Sequence, residues 1–232
     1  MDAAIKAWNE RWRDGRIGFH QEIINPQLIE FWPEIVPNHS ARVLVPLCGK
    51  TSDMLWLHQR GHTVIGIEAS ALAAAAFFEE NSVQVDRIRQ DEFEIFKGRG
   101  SGSGLEIWCG DFFTLSKGQL GKIQAWYDRA AVIALPPTLW APYAAKLSTL
   151  LMPDATALML AFAYSQGDRE GPPFSVSYED VQQQFSDRFD VSLIQTLDLT
   201  KGNRWQYRWV HEPIIKLRRV SRHQVSEPQS AS

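Results

Sequence analysis

The sequence is poor in cysteine, has no long apolar run and carries no excess of basic charge, and each shortage removes a class of function. Two cysteines, Cys48 and Cys109, in 232 residues cannot build a disulfide framework or a four-thiolate zinc site. Both stand among apolar, strand-like residues and read as buried free thiols. The formal net charge of −3 and the isoelectric point near 6.1 argue against nucleic acid as a partner, because binding a phosphate backbone calls for a basic stripe. No stretch approaches the length needed to cross a bilayer, and Met1-Asp-Ala-Ala-Ile-Lys6 lacks the basic start and apolar run of an export signal. A soluble, cytoplasmic protein with no membrane partner is expected. Among six histidines, His58 and His62 are four apart, but Gly61 interrupts them at a helix end and no Glu or Cys completes a ligand set, so no metal is expected.

What is present suits one α/β domain: 44% hydrophobic and 22% charged residues can bury a substantial core. Strand-like runs occur at Arg42–Leu47, Thr63–Ile67, Leu105–Cys109, Ile123–Tyr127 and Thr156–Ala163. Helical patterns occupy Lys50–Arg60, Ala69–Asn81 and Pro137–Leu151. Alternation of this kind predicts a doubly wound, mostly parallel sheet, since parallel neighbours need a covering crossover. A helix at Tyr178–Phe185 precedes two further strand patterns, Phe189–Leu197 and Arg204–His211. They complete a seven-stranded sheet as an antiparallel edge hairpin. Gly98–Gly104, glycine at every second position, is expected to be a flexible surface loop. The single domain should run from 1 to 220, and the polar residues 221–232 form a disordered tail. Nothing suggests an extended apolar interface, so a monomer is expected.

A doubly wound sheet binds its ligand at the carboxyl ends of its strands, where the first strand-to-helix turn presents backbone N–H groups. Here that turn is Pro46–Lys50, and Glu68 stands 19 positions after Gly49, close to the ~20 at which an acid meets both ribose hydroxyls. Glycine is the decisive shortage. A pyrophosphate needs Gly-x-Gly-x-x-Gly, and this turn holds Gly49 alone; a P-loop ending in Gly49-Lys50-Thr51 needs glycine where Leu44 stands. A phosphate-free adenosine ligand fits, and S-adenosylmethionine is the expected cofactor. Asp111, just beyond the third strand pattern, either meets the adenine amino group with Phe112 on the ring or simply caps a turn.

Six motifs then stand in order: Trp8-x-x-x-Trp12, Gly18-Phe19-His20-Gln21, Val45-Pro46-Leu47-Cys48-Gly49-Lys50, Gly66-Ile67-Glu68, Asp128-Arg129-Ala130 and Gly171-Pro172-Pro173-Phe174. Together they resemble the thiopurine S-methyltransferase family, in its bacterial form, from about residue 5 to 217. Pro-Leu-Cys-Gly-Lys is specific because it departs from the glycine-rich turn of most methyltransferases. The glycine-rich loop and the polar tail carry no family signature. The resemblance implies a Rossmann-like methyltransferase fold, with Trp12, Leu47, Glu68 and Arg129 contacting S-adenosylmethionine and Asp111 and Phe112 near its adenine. It places Trp8 near the cofactor or in a lid, with residues 1–25 forming that N-terminal helical lid, and Phe19 and Arg129 at the border of the acceptor pocket.

The implied acceptor is a thiopurine or another small aromatic thiol, methylated at sulfur by in-line transfer, which needs donor and acceptor aligned and water excluded. A guanidinium favours the anionic form of a sulfur acceptor, a role that falls to Arg129. Asp128 either orients Arg129, accepts a proton through water, or is structural. Three alternatives stand beside this reading: a methyltransferase for selenium or tellurium species, an NAD-dependent oxidoreductase, which the missing glycines oppose, and a non-catalytic adenosine-ligand binding protein.

Overall fold

Val43, Leu44 and Val45 are all buried to 2% exposure or less, as a central parallel strand covered on both faces requires. In the computed structural model, which describes residues 2–18, 20–165, 167–202 and 206–220, they form β1 (Arg42–Val45), followed by α3 (Asp53–Gln59), β2 (Thr63–Glu68) and α4 (Ala71–Glu80). Two helices precede this unit, α1 (Asp2–Arg13) and α2 (Pro26–Ile35). After it come β3 (Val85–Gln90), β4 (Phe93–Gly98), β5 (Leu105–Cys109), the one-turn α5 (Lys117–Leu120), β6 (Ile123–Arg129) and α6 (Trp140–Leu150). The chain closes with β7 (Leu151–Leu160), β8 (Ala163–Tyr164), α7 (Tyr178–Phe185), β9 (Phe189–Asp198) and β10 (Val210–Arg219). Among the described residues no helix is long and apolar enough to cross a membrane.

The strands make one sheet in the order β3-β4-β5-β2-β1-β6-β7-β10-β8, with β9 on β10. Its centre, β5-β2-β1-β6-β7, is parallel, and both margins are antiparallel. Alternation along β1 sends Leu44 to one face and Val43 and Val45 to the other. On the first face α6 and α7 supply Trp140, Tyr143, Leu147 and Phe185; on the second α2, α3 and α4 supply Trp32, Met54, Leu57 and Phe77. The result is a three-layer α/β unit.

Four expectations need correction. The sheet has ten strands among the described residues, not seven, chiefly because the β3–β4 hairpin escaped notice. Only one residue of Val85–Gln90 is even half-buried, so a charged edge strand shows no apolar alternation. Gly98–Gly104 is not slack: a Cβ on Gly98 would lie 2.3 Å from the Gly102 carbonyl oxygen, and Gly102 is itself buried against Val83. The second strand of the C-terminal hairpin is Val210–Arg219 rather than Arg204–His211, part of which lies outside the described residues. Tyr207, whose spacing suggested strand, instead stacks on Tyr164 with ring centroids 4.4 Å apart. The fifth expected strand begins earlier, at Leu151, and ends at Leu160. The expected tail, 221–232, lies outside the described residues.

Candidate active site

The turn after β1 is held in a left-handed conformation at Leu47 (φ 47°) and Gly49 (φ 55°), the first costly for a residue with a side chain. A second such residue, Ala130 (φ 63°), follows β6. Both border the same cavity, the kind of place where backbone strain is tolerated because the surroundings impose it. Two bonds tie the turn to β2: Cys48 N–H donates to the Ile67 carbonyl at 2.9 Å, and Gly49 N–H donates to Glu68 Oε2 at 2.8 Å. Ser70 N–H donates to Glu68 Oε1, also at 2.8 Å. Burial pushes the Glu68 carboxyl above the usual carboxylate range, and these N–H groups pull it back. Each Glu68 oxygen keeps a second lone pair, and the side chain borders the cavity.

That cavity, of about 720 Å³, opens at the carboxyl ends of the parallel strands and falls within the roughly 300–1,000 Å³ of small-molecule sites. Leu47, Gly49, Glu68, Asp111, Phe112 and Arg129 all border it. Asp111 does cap a turn, accepting from Phe113 N–H at 2.9 Å, while also facing the cavity. Phe112 is 4% exposed and packs edge-on against Phe113. Across from the turn, α1 contributes Ile5, Trp8 and Trp12; a Cβ on Gly49 would come within 3.1 Å of Trp12 Cζ2. Gly18 and Gln21 border the cavity as well, whereas Phe19 lies outside the described residues.

Arg129 ends β6 with its side chain 13% exposed and its Nη1 3.4 Å from Oδ2 of Asp53, a fully buried acid. Asp53 also accepts from Asn25 N–H at 2.8 Å and Tyr127 O–H at 3.0 Å. Sequence reasoning missed Asp53, because an acid in the first turn of a helix reads as a helix-end charge. It missed Glu212 too, which borders the cavity from β10. Asp128 does not border the cavity. Fully buried, it accepts from Tyr143 O–H at 2.6 Å and Val132 N–H at 3.2 Å, and burial raises its carboxyl to about 6. His62 is structural, its Nε2 accepting from the Trp32 indole at 3.0 Å, and Cys48 and Cys109 are buried free thiols.

A family model described as thiopurine S-methyltransferase matches residues 3–220. The thiopurine S-methyltransferase of Nitrosospira multiformis is 41% identical over 204 residues, 88% of this chain and 91% of that one. That of Pseudomonas syringae pv. tomato is 42% identical over 187 residues, 81% and 83% of the two chains. Among solved structures, the 1,6-didemethyltoxoflavin-N1-methyltransferase of Burkholderia thailandensis, with 1,6-didemethyltoxoflavin and S-adenosylhomocysteine bound, superimposes with a TM-score of 0.65 at 14% identity over 95% of this chain and 89% of that one. Magnesium protoporphyrin IX methyltransferase of Synechocystis, with S-adenosylhomocysteine bound, gives 0.62 at 14% identity over 93% and 99%. The likeness to both is one of fold.

Proposed function

The chain belongs to the thiopurine S-methyltransferase family, and on that premise we propose that it is an S-adenosylmethionine-dependent enzyme methylating the sulfur of thiopurines and other small aromatic thiols. The observation that carries this reading is the cavity itself, in which the lone glycine turn, Glu68 and Arg129 meet without the glycines a pyrophosphate needs. S-adenosylmethionine supplies a methyl group already activated on a sulfonium. Glu68 takes the ribose hydroxyls on its remaining lone pairs, Asp111 and Phe112 face the adenine, and Leu47, Gly49, Trp12 and Arg129 surround the amino-acid end. Trp8 and the rest of α1 form the lid.

The acceptor enters beside Arg129, whose guanidinium favours a sulfur anion; Phe19 is assigned to the same border. Phe162, Ile133 and Leu139 give this end apolar walls, which favour an aromatic ring over selenite or tellurite. Asp128 is given a structural role, since its carboxylate is bonded within the core. Incubation with labelled donor and thiopurines, aryl thiols, selenite and tellurite tests the proposal. Transfer to the aromatic sulfur compounds is expected, and transfer to selenite or tellurite alone would overturn it. Calorimetry should show binding of S-adenosylhomocysteine and none of NAD.

A further inference from the structure

The sheet register sets an acid opposite Arg129. Arg129 pairs with Leu160 on β7, and Leu160 pairs with Ile214 on β10. Because β10 runs antiparallel, Glu212, two residues before Ile214 and on the same face, projects beyond the end of β7, where Ala161 N–H donates to the Pro213 carbonyl at 3.0 Å. The backbones of Arg129 and Glu212 are two strand spacings of about 4.8 Å apart across the sheet and offset by two residues along it. The two do not close on each other: the ion pair of Arg129 is with Asp53, and Glu212 takes no side-chain hydrogen bond from any described residue. Leu160 lies between β6 and β10 in this register, and it and Ala161 border the cavity.

Resting on the S-methyltransferase reading above, we propose that Glu212 is the residue selecting heteroaromatic thiones, accepting the hydrogen bond of a ring N–H conjugated with the thiocarbonyl and taking that proton as the sulfur is methylated. The balance is complete without a further reactant. The thione sulfur forms the new bond to the methyl carbon, and the methyl–sulfonium bond breaks with its electrons left on the departing thioether. The nitrogen π lone pair moves into a ring C=N bond, the N–H pair stays on nitrogen as its in-plane lone pair, and the proton passes to the Glu212 carboxylate. Products are a neutral S-methyl heterocycle, the thioether and a carboxylic acid.

Two further observations suit this role. Burial lifts the Glu212 carboxyl above the usual carboxylate range, with Arg129 opposing, so it is a better proton acceptor near neutral pH than an exposed acid. The side chain also borders a second, more open cavity of about 460 Å³ that it shares with His20, Glu22 and Asn25, through which the proton reaches solvent. Arg129 and Glu212 thereby divide the acceptor between them, the cation facing the sulfur and the carboxylate facing the nitrogen.

The test compares pyridine-2-thione, which carries the conjugated N–H, with 4-nitrothiophenol, which does not, in the wild type, Glu212→Gln and Glu212→Asp. In Glu212→Gln the ratio of kcat/KM for thione over thiol should fall about tenfold to a hundredfold, and Glu212→Asp, which keeps the carboxylate, should recover part of it. Calorimetry in the presence of S-adenosylhomocysteine should show weaker binding of the thione alone. A ratio within about twofold of wild type in Glu212→Gln overturns the assignment to Glu212 and leaves the S-methyltransferase reading standing. A wild type that methylates neither compound overturns both.

Discussion

Arg129 Nη1 stands 3.4 Å from Asp53 Oδ2, joining the end of β6 to the first turn of α3 directly beneath the cavity. Asp53 is fully buried and holds Asn25 N–H and Tyr127 O–H as well. One carboxylate thus ties together α2, α3, β6 and a guanidinium that borders the cavity. Breaking a buried pair by removing one partner costs about 3–5 kcal/mol, because the donors left behind are no longer solvated. Asp53→Ala should lower the unfolding free energy by about that amount in urea titrations. A midpoint equal to that of wild type would show that the cluster is not stabilising.

The same pair predicts how Arg129 responds to substitution. Its Nη1 also lies 3.5 Å from Thr51 Oγ1, so its position is set from one side while the cavity occupies the other. Arg129→Ala leaves the buried Asp53 carboxylate with two neutral donors and no counter-charge, so it should lose stability as Asp53→Ala does and, measured on folded protein, lose about a hundredfold in thiopurine kcat/KM. Arg129→Lys restores the charge without the planar fork and should lose less. Undiminished turnover in Arg129→Ala would remove this residue from the mechanism.

Much of this site was legible before the structure, and the reason is local. Glu68 and Gly49 announce themselves by spacing, and the 2.8 Å bond between them is the physical content of that spacing. Central strands were legible because both faces are buried, which leaves continuous apolar runs such as Val43-Leu44-Val45. Val85–Gln90 was not, since an edge strand paired on one side only carries Asp86, Arg87 and Arg89 in solvent. Asp53 and Glu212 were illegible for another reason: Asp53 acquires its meaning from Arg129 and Tyr127 on another element, and Glu212 from the sheet register that brings it to the cavity.

Asp128 gives a prediction in pH. Its carboxyl is raised from 3.8 to about 6, chiefly by burial, so between those values the native chain holds a proton that the unfolded chain has lost. Unfolding releases it, and stability therefore falls as pH rises through this window, by about 3 kcal/mol from this group. Asp128→Asn removes the titration. The difference between wild-type and variant unfolding free energies should shift by about that amount from pH 4 to 7, in favour of the variant at the higher pH. Parallel curves would contradict the buried acid, and a large loss of thiopurine turnover would return Asp128 to the catalytic machinery.

Gly49 combines a left-handed backbone with close approach to Trp12. A Cβ there costs about 1–2 kcal/mol in backbone strain alone and meets the indole at 3.1 Å, so either the turn or α1 must move. Gly49→Ala should weaken S-adenosylhomocysteine binding about tenfold by calorimetry while shifting the thermal midpoint only a few degrees. Binding at wild-type strength would show that the turn does not touch the ligand.

The N-terminal helix supplies the last prediction. An apolar stripe on a helix ordinarily sits on a packed core, but Ile5, Trp8 and Trp12 all border the cavity, so the stripe of α1 faces ligand space. A ligand filling that space completes the burial of two indoles, which favours the closed helix by mass action and slows its opening. Arg13, the last residue of α1, is exposed and does not border the cavity, and it gives trypsin its cleavage site. Saturating S-adenosylhomocysteine should slow cleavage there at least about tenfold, while NAD at the same concentration should leave the rate where it was. Tryptophan fluorescence should respond in parallel, because Trp8 and Trp12 lose solvent as the site fills. Equal cleavage rates with and without S-adenosylhomocysteine would mean that α1 is a fixed wall of the cavity and not its lid.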